Sequence, residues 1–236
     1  MRLDALLSRY GYCSRREAPG WIKRHSITFK GEPCSAPTDK VQAEGILLDG
    51  EPVEFPDGLY AALYKPAGYT CSHDDGEGDV IYDLLPFQWR HRNPAVSSVG
   101  RLDKETSGLL LITDDGKFIH RMTSPRHHVA KVYEAVTEED IPAEAVELFA
   151  SGTFMLNGED RPCAPAVLEI LEPRRARLTL TEGKYHQVRR MLASRGLPVT
   201  YLRREAEGRL TLGDLPLGQT KELNIVEAEQ LLLNIL

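Results

Sequence analysis

A chain of 236 residues, 42% hydrophobic and 27% charged with a formal net charge of −6, has the make-up of an ordinary folded protein and excludes a disordered or low-complexity one. No apolar run reaches the roughly 18 residues that a membrane span needs, and the opening residues lack the apolar centre of a signal peptide, so a cytoplasmic protein is expected. Cys13, Cys34, Cys71 and Cys163 are scattered without a C-x-x-C pair, which indicates neither a disulfide framework nor a structural zinc.

The net charge alone argues against a polyanionic partner, but it averages over blocks. Residues 9–30 and residues 181–204 each carry a balance of +5, residues 116–131 hold four basic side chains and no acid, and residues 134–172 hold ten acids against Arg161. One basic face and an acidic back would produce that segregation.

In chain order, Leu3, Leu6 and Leu7 at helical spacing predict a first helix, and Ser14 with Glu17 has the offset of a capping box opening a second. Pro19 and Gly20 fall inside the second helix, so it is expected to be short or kinked. "SITFKG" and "ILLDGEPV", each closed by a glycine or Asp-Gly turn, predict a small hairpin, and "FPDGL", residues 55–59, a linker. Together these runs resemble an S4 domain, a small RNA-binding module. The resemblance implies an RNA-binding domain over residues 1–58, with Arg15, Arg16, Lys23 and Arg24 on RNA phosphates.

Residues 59–236 form the second expected domain. "YAALY", "GLLLIT", "VAKVYEAV", "AVLEIL" and "ARLTLT" predict strands, while "PAEAVELFA", "KYHQVRRMLASR" and "IVEAEQLLLNIL" predict helices. Their order lacks the βαβ rhythm of a parallel sheet. The fold class expected is therefore α+β, a small module followed by a mixed, largely antiparallel sheet flanked by helices.

Several chemistries drop out early. Ile81 stands where a dinucleotide fingerprint begun by Gly76 and Gly78 needs its third glycine, no P-loop lysine follows a glycine run, and the seven histidines form no H-E-x-x-H pair, so neither cofactor nor metal is expected. Asp114-Asp115-Gly116 reads as a turn rather than an acid–base pair. Three segments remain: "GRLDKETSGLLLITDDG", "SPRHHVAKVYEAV" and "LTLTEGKYHQVRRML". Alternation puts Lys131 and Tyr133 on one strand face, and Arg101 and Asp103 on one face if that stretch is extended. A helix over 184–195 would pack Val188, Met191 and Leu192 inward and leave His186, Arg189 and Arg190 on another face.

In this order the three segments resemble the RsuA branch of the RluA/RsuA pseudouridine synthases. The resemblance implies a cofactor-free catalytic domain that isomerises a uridine to pseudouridine in small-subunit (16S) rRNA, with U516 as the family site. The same chemistry on large-subunit (23S) rRNA, or a non-catalytic S4-type RNA-binding or ribosome-assembly protein, are the alternatives. The partner implied is rRNA, as small-subunit RNA or an assembling small subunit, and the state implied is a monomer.

By the same resemblance Asp103 is the nucleophile and Arg189 the cation paired with it. Tyr133 stacks on the target uracil and is implicated in removing its C5 proton. Lys131, His186 and Gln187 bind substrate, and Arg101 helps hold the nucleotide out of the RNA stack. The chemistry suits these residue types. A carboxylate can form a covalent intermediate that divides one hard step into two. Enclosed with a base it loses its water, so a cation must keep it charged. An aromatic face holds an extruded base, and extrusion is required because the glycosidic bond is inaccessible within a helix. Attack on the sugar carbon, abstraction of a sugar proton and addition to the ring all stay open for Asp103 at this point.

Overall fold

A computed structural model describes residues 1–124 and 127–231. Pro125 and Arg126 of the second motif, and residues 232–236 of the expected C-terminal helix, lie outside the described residues.

The chain opens with α1 (Leu3–Arg9) and α2 (Ala18–Ile22), followed by β1 (Ile27–Phe29), β2 (Glu32–Pro33), β3 (Ile46–Leu48) and β4 (Glu51–Pro52). The capping box is present: the Glu17 carboxylate accepts from Ser14 N at 3.0 Å, while Glu17 N donates to Ser14 Oγ at 3.3 Å. Pro19 sits in the first turn of α2, where a missing N–H removes no helical hydrogen bond, so the helix is short rather than broken. The expected single hairpin is a four-stranded antiparallel sheet in the order β2-β1-β3-β4. Its two tight turns use Lys30-Gly31 and Asp49-Gly50, all four at positive φ, as two-residue hairpin turns demand. Leu3, Leu6 and Leu7 of α1 pack with Ile22, Ile27 and Ile46 in a core confined to this unit.

The remainder comprises β5 (Tyr60–Lys65), α3 (Phe87–Arg90), β6 (Ser97–Ser98), β7 (Ser107–Thr113), α4 (Gly116–Thr123), β8 (Lys131–Thr137), α5 (Glu144–Ala150), β9 (Val167–Glu172), β10 (Arg175–Leu180), α6 (Gln187–Ala193), β11 (Val199–Glu207), β12 (Leu210–Thr211), β13 (Thr220–Glu222) and α7 (Ile225–Gln230). Among the described residues nine strands form one sheet along the path β13-β5-β7-β11-β8-β10-β9, with β6 added to β7 and β12 to β11. The β7–β11 pair is parallel and the other pairs are antiparallel, the mixed α+β architecture expected. β7 is buried along its whole length, which is why its sequence is an unbroken apolar run rather than an alternating one. No helix among the described residues is long and apolar enough to cross a membrane.

The segment expected as a linker is clamped between the two units. Arg92 is buried and ion-pairs with Asp114 at 2.8 Å, and it donates to the carbonyls of Glu54 at 3.3 Å and Phe55 at 3.2 Å. Tyr10 Oη donates to Pro56 O, and Gln88 Nε2 donates to Tyr10 O. Asp115 caps α4 by accepting from Lys117 N and Phe118 N, so both acids after β7 are structural.

Candidate active site

Where the loop ahead of β7 meets β8, β11 and the start of α6, a cleft of about 380 Å³ opens, within the size range of a small-ligand site. Asp103, Tyr133 and His186, one from each of the three sequence segments, line it together with Arg101 and Lys131. Asp103 sits in the loop ahead of β7, where Thr106 N donates to Asp103 O at 3.0 Å and closes a turn. That loop is held from beneath by Lys65, the last residue of β5, which is fully buried. Its ammonium donates to the carbonyls of Pro66 at 3.0 Å, Asp103 at 3.1 Å, Lys104 at 3.3 Å and Thr106 at 2.8 Å. Burial lowers the Lys65 pKa to about 8. A lysine ending an otherwise apolar strand, "YAALYK", was the one signal for it in the sequence.

Tyr133 and Lys131 do share a face of β8, and both line the cleft. Across the ladder from them stand Arg204 and Glu207 of β11, Arg204 opposite Tyr133 and Glu207 opposite Lys131. Residues three apart on a regular strand point to opposite faces, but the register shifts between Arg204 and Ala206, and this bulge lets both line the cleft. Arg204 is 1% exposed. Its Nε donates to Leu109 O at 2.7 Å, and Nη2 lies 3.1 Å from Glu207 Oε2. Charge rather than an aligned hydrogen bond holds that pair, for neither atom has a hydrogen-bond partner among the described residues. Burial pushes the Tyr133 phenol above its ordinary pKa, and the neighbouring Arg204 guanidinium works in the opposite sense. Burial likewise lowers the Lys131 pKa, with Glu207 4.0 Å away opposing it. Gly108 is what lets β11 lie this close to β7: a Cβ there would fall 2.4 Å from the Arg204 backbone.

The third segment departs most from expectation. α6 begins at Gln187 rather than near 184, because His186 adopts a left-handed backbone, φ 47° and ψ 36°, that no helix can include. His186 is thereby turned into the cleft, and its Nε2 lies 3.2 Å from Asp103 Oδ1. The pairing expected of Arg189 is made by His186. Arg189, in the first turn of α6, donates instead to Val199 O at 3.1 Å and Glu105 O at 3.3 Å, reaching the backbone of the loop that carries Asp103 rather than its carboxylate. Side chains on a helix lean toward its N-terminus, and here that direction leads to the Glu105 carbonyl. Gln187 borders the cleft, but its amide is committed within the protein: Oε1 accepts from Lys184 N at 2.8 Å, and Nε2 donates to Glu182 Oε1 at 2.6 Å.

Arg101 is exposed on the cleft wall and forms no ion pair among the described residues. Arg15, Arg16, Lys23 and Arg24 are exposed on the N-terminal unit, with Arg15 3.5 Å from Asp4. Lys65, Arg204 and Glu207 were not singled out from the sequence.

The cleft lies where the chain matches known proteins. A family model described as RNA pseudouridylate synthase matches residues 59–194. The ribosomal small subunit pseudouridine synthase A of Pasteurella multocida is 39% identical over 230 residues, covering 96% of this chain and 97% of that protein. The protein of the same name from Escherichia coli strain K12 is 39% identical over 228 residues, 94% of this chain and 96% of that one. A crystal structure described as that of a pseudouridylate synthase matches with a TM-score of 0.69 at 34% identity, over 98% of this chain and 99% of the other.

Proposed function

Because the chain belongs to the RNA pseudouridylate synthase family, we propose that it isomerises a uridine of small-subunit rRNA to pseudouridine, with Asp103 as nucleophile and the family's U516 as target. The observation that carries this reading is the convergence of Asp103, Tyr133 and His186 on one cleft from three distant segments. The names of the relatives support small-subunit over large-subunit RNA.

The reaction breaks the bond from N1 to the sugar, forms one from C5 to the sugar, moves a proton off C5 and leaves one on N1. It is an isomerisation, so no oxidant or reductant takes part. The extruded base stacks on Tyr133, which the strand holds between two apolar clusters. Asp103 forms the covalent intermediate, presented by the loop that Lys65 and Arg189 brace through its carbonyls. Tyr133 starts as a neutral phenol, as its raised pKa requires; it gives its proton to the base as N1 is freed, and the phenolate so formed takes the C5 proton and is restored to the phenol. Arg204 stabilises negative charge on the phenol oxygen as that proton moves. Arg189 is a positioning residue in this scheme.

Residues 1–58 are the S4-type RNA-binding domain and residues 59–236 the catalytic domain. The self-contained core and exposed Arg15, Arg16, Lys23 and Arg24 support the first assignment. Arg101 and Lys131 meet the flipped nucleotide and its phosphate. Action as a monomer in the cytoplasm is part of the same proposal. Incubation with small- and large-subunit rRNA tritiated at uridine C5 tests the reading. Release from small-subunit RNA alone is expected; release from large-subunit RNA alone overturns the substrate, and release from neither overturns the activity.

A further inference from the structure

We propose that Tyr185 is a stacking platform for an RNA base that flanks the target uridine. The inference rests on the function proposed above and adds a contact outside the cleft. Tyr185 is 71% exposed. Exposure alone would mean little, since single apolar side chains on a surface are ordinary. Its surroundings are what distinguish it. The Tyr185 ring lies parallel to that of His186, with centroids 3.9 Å apart and 15° between planes, and His186 in turn touches Asp103 at 3.2 Å. The two rings therefore run as a short stack from the cleft to its outer rim.

The turn that presents them is rigidly built. Gln187 bonds Lys184 N and Glu182, Glu182 also accepts from Ala164 N at 2.9 Å, and Lys184 Nζ donates to Arg161 O at 2.9 Å. Arg190 donates to Tyr185 O at 3.0 Å, and it is itself held by Glu159 Oε1 at 2.7 Å and Asn157 O at 2.6 Å. These bonds hold His186 in a left-handed conformation that a non-glycine residue adopts only when its surroundings over-determine it. The product of this strain is an aromatic stack beside the reacting carboxylate.

One face of the Tyr185 ring is covered by His186. The ligand that brings a second flat ring to this rim is RNA: extruding one nucleotide leaves its neighbours each with an unstacked face, and aromatic side chains cover such faces whatever the base. Exposed Arg101 on the cleft wall and Lys104 in the same loop supply positive charge for the adjoining backbone.

The test uses small-subunit RNA stem-loops containing the target uridine, with 2-aminopurine on its 5′ or its 3′ side, one label per RNA. Each is titrated with the full-length protein and with Tyr185→Ala, Tyr185→Phe and Tyr185→Trp. Quenching of at least one label is expected with the native protein, the Phe variant and the Trp variant, and not with Ala. In tritium release, Tyr185→Ala should lose about 10-fold in kcat/KM, mostly through KM, and Tyr185→Phe should retain it. Unchanged quenching of both labels by Tyr185→Ala overturns the platform, and so does a Phe variant as impaired as Ala. The Asp103→Asn protein separates the two proposals. Its quenching should match the native protein whatever its activity, whereas full tritium release from it would overturn Asp103 as nucleophile and leave the quenching result standing on its own.

Discussion

His186 Nε2 lies 3.2 Å from Asp103 Oδ1, a contact between residues 83 positions apart that depends on His186 leaving helical geometry one residue before α6. It gives Asp103 a neighbour able to carry positive charge in a partly enclosed site. Replacing His186 by Ala should lower kcat/KM for tritium release by about 10-fold or more, which corresponds to about 1.4 kcal/mol of lost interaction. Arg190→Ala should reproduce part of that loss by loosening the turn. Unchanged kinetics in His186→Ala would remove the contact from the mechanism.

Lys65 predicts a pH dependence of stability. Its pKa is lowered to about 8 in the fold, against 10.5 when unfolded, because burial disfavours the charge. Between those values the unfolded chain binds more protons, so the Lys65 contribution to unfolding free energy rises with pH across about 8 to 10.5 and is lost as pH falls through 8. Urea unfolding of the native protein and of Lys65→Met should show a stability gap that widens over that window. A constant gap would contradict it.

Arg204 and Glu207 form a buried ion pair, so removing one partner leaves the other charge uncompensated. Glu207→Leu should cost about 3–5 kcal/mol in unfolding free energy. The double variant Arg204→Met/Glu207→Leu should recover most of that stability yet remain slow in tritium release, because Tyr133 has lost its cation. A double variant with native activity would make the pair purely structural.

The N-terminal unit predicts a salt effect. Arg15→Ala with Arg16→Ala should weaken RNA binding and lower the slope of log K against log salt by about 1 for each phosphate contact removed. Filter binding at several salt concentrations measures it. An unchanged slope would count against RNA binding through these side chains.

Much of this was legible in the sequence because it rests on local patterns. β7 shows as "GLLLIT", β8 as alternation around Lys131 and Tyr133, and α1 as leucines at helical spacing. β11, which brings Arg204 and Glu207 to the cleft, did not show, because "YLRREAE" reads as a charged surface run. Its charges are buried only through partners on β7 and β8, and its faces are set by a bulge that no periodicity reveals. The Arg189 assignment came from the resemblance, and the helix expected over 184–195 would have run through His186, where the backbone in fact leaves helical geometry. The backbone there is dictated by hydrogen bonds to Arg161, Ala164 and Glu182, which lie outside the helix.

Asp103 is the centre of the proposed reaction. Single-turnover tritium release from small-subunit rRNA by Asp103→Asn, at unchanged RNA affinity and unchanged circular dichroism, tests it most directly. A loss of at least ~10³-fold is predicted, as for other single nucleophile replacements. Release within 10-fold of the native rate would contradict the assignment of Asp103 as nucleophile.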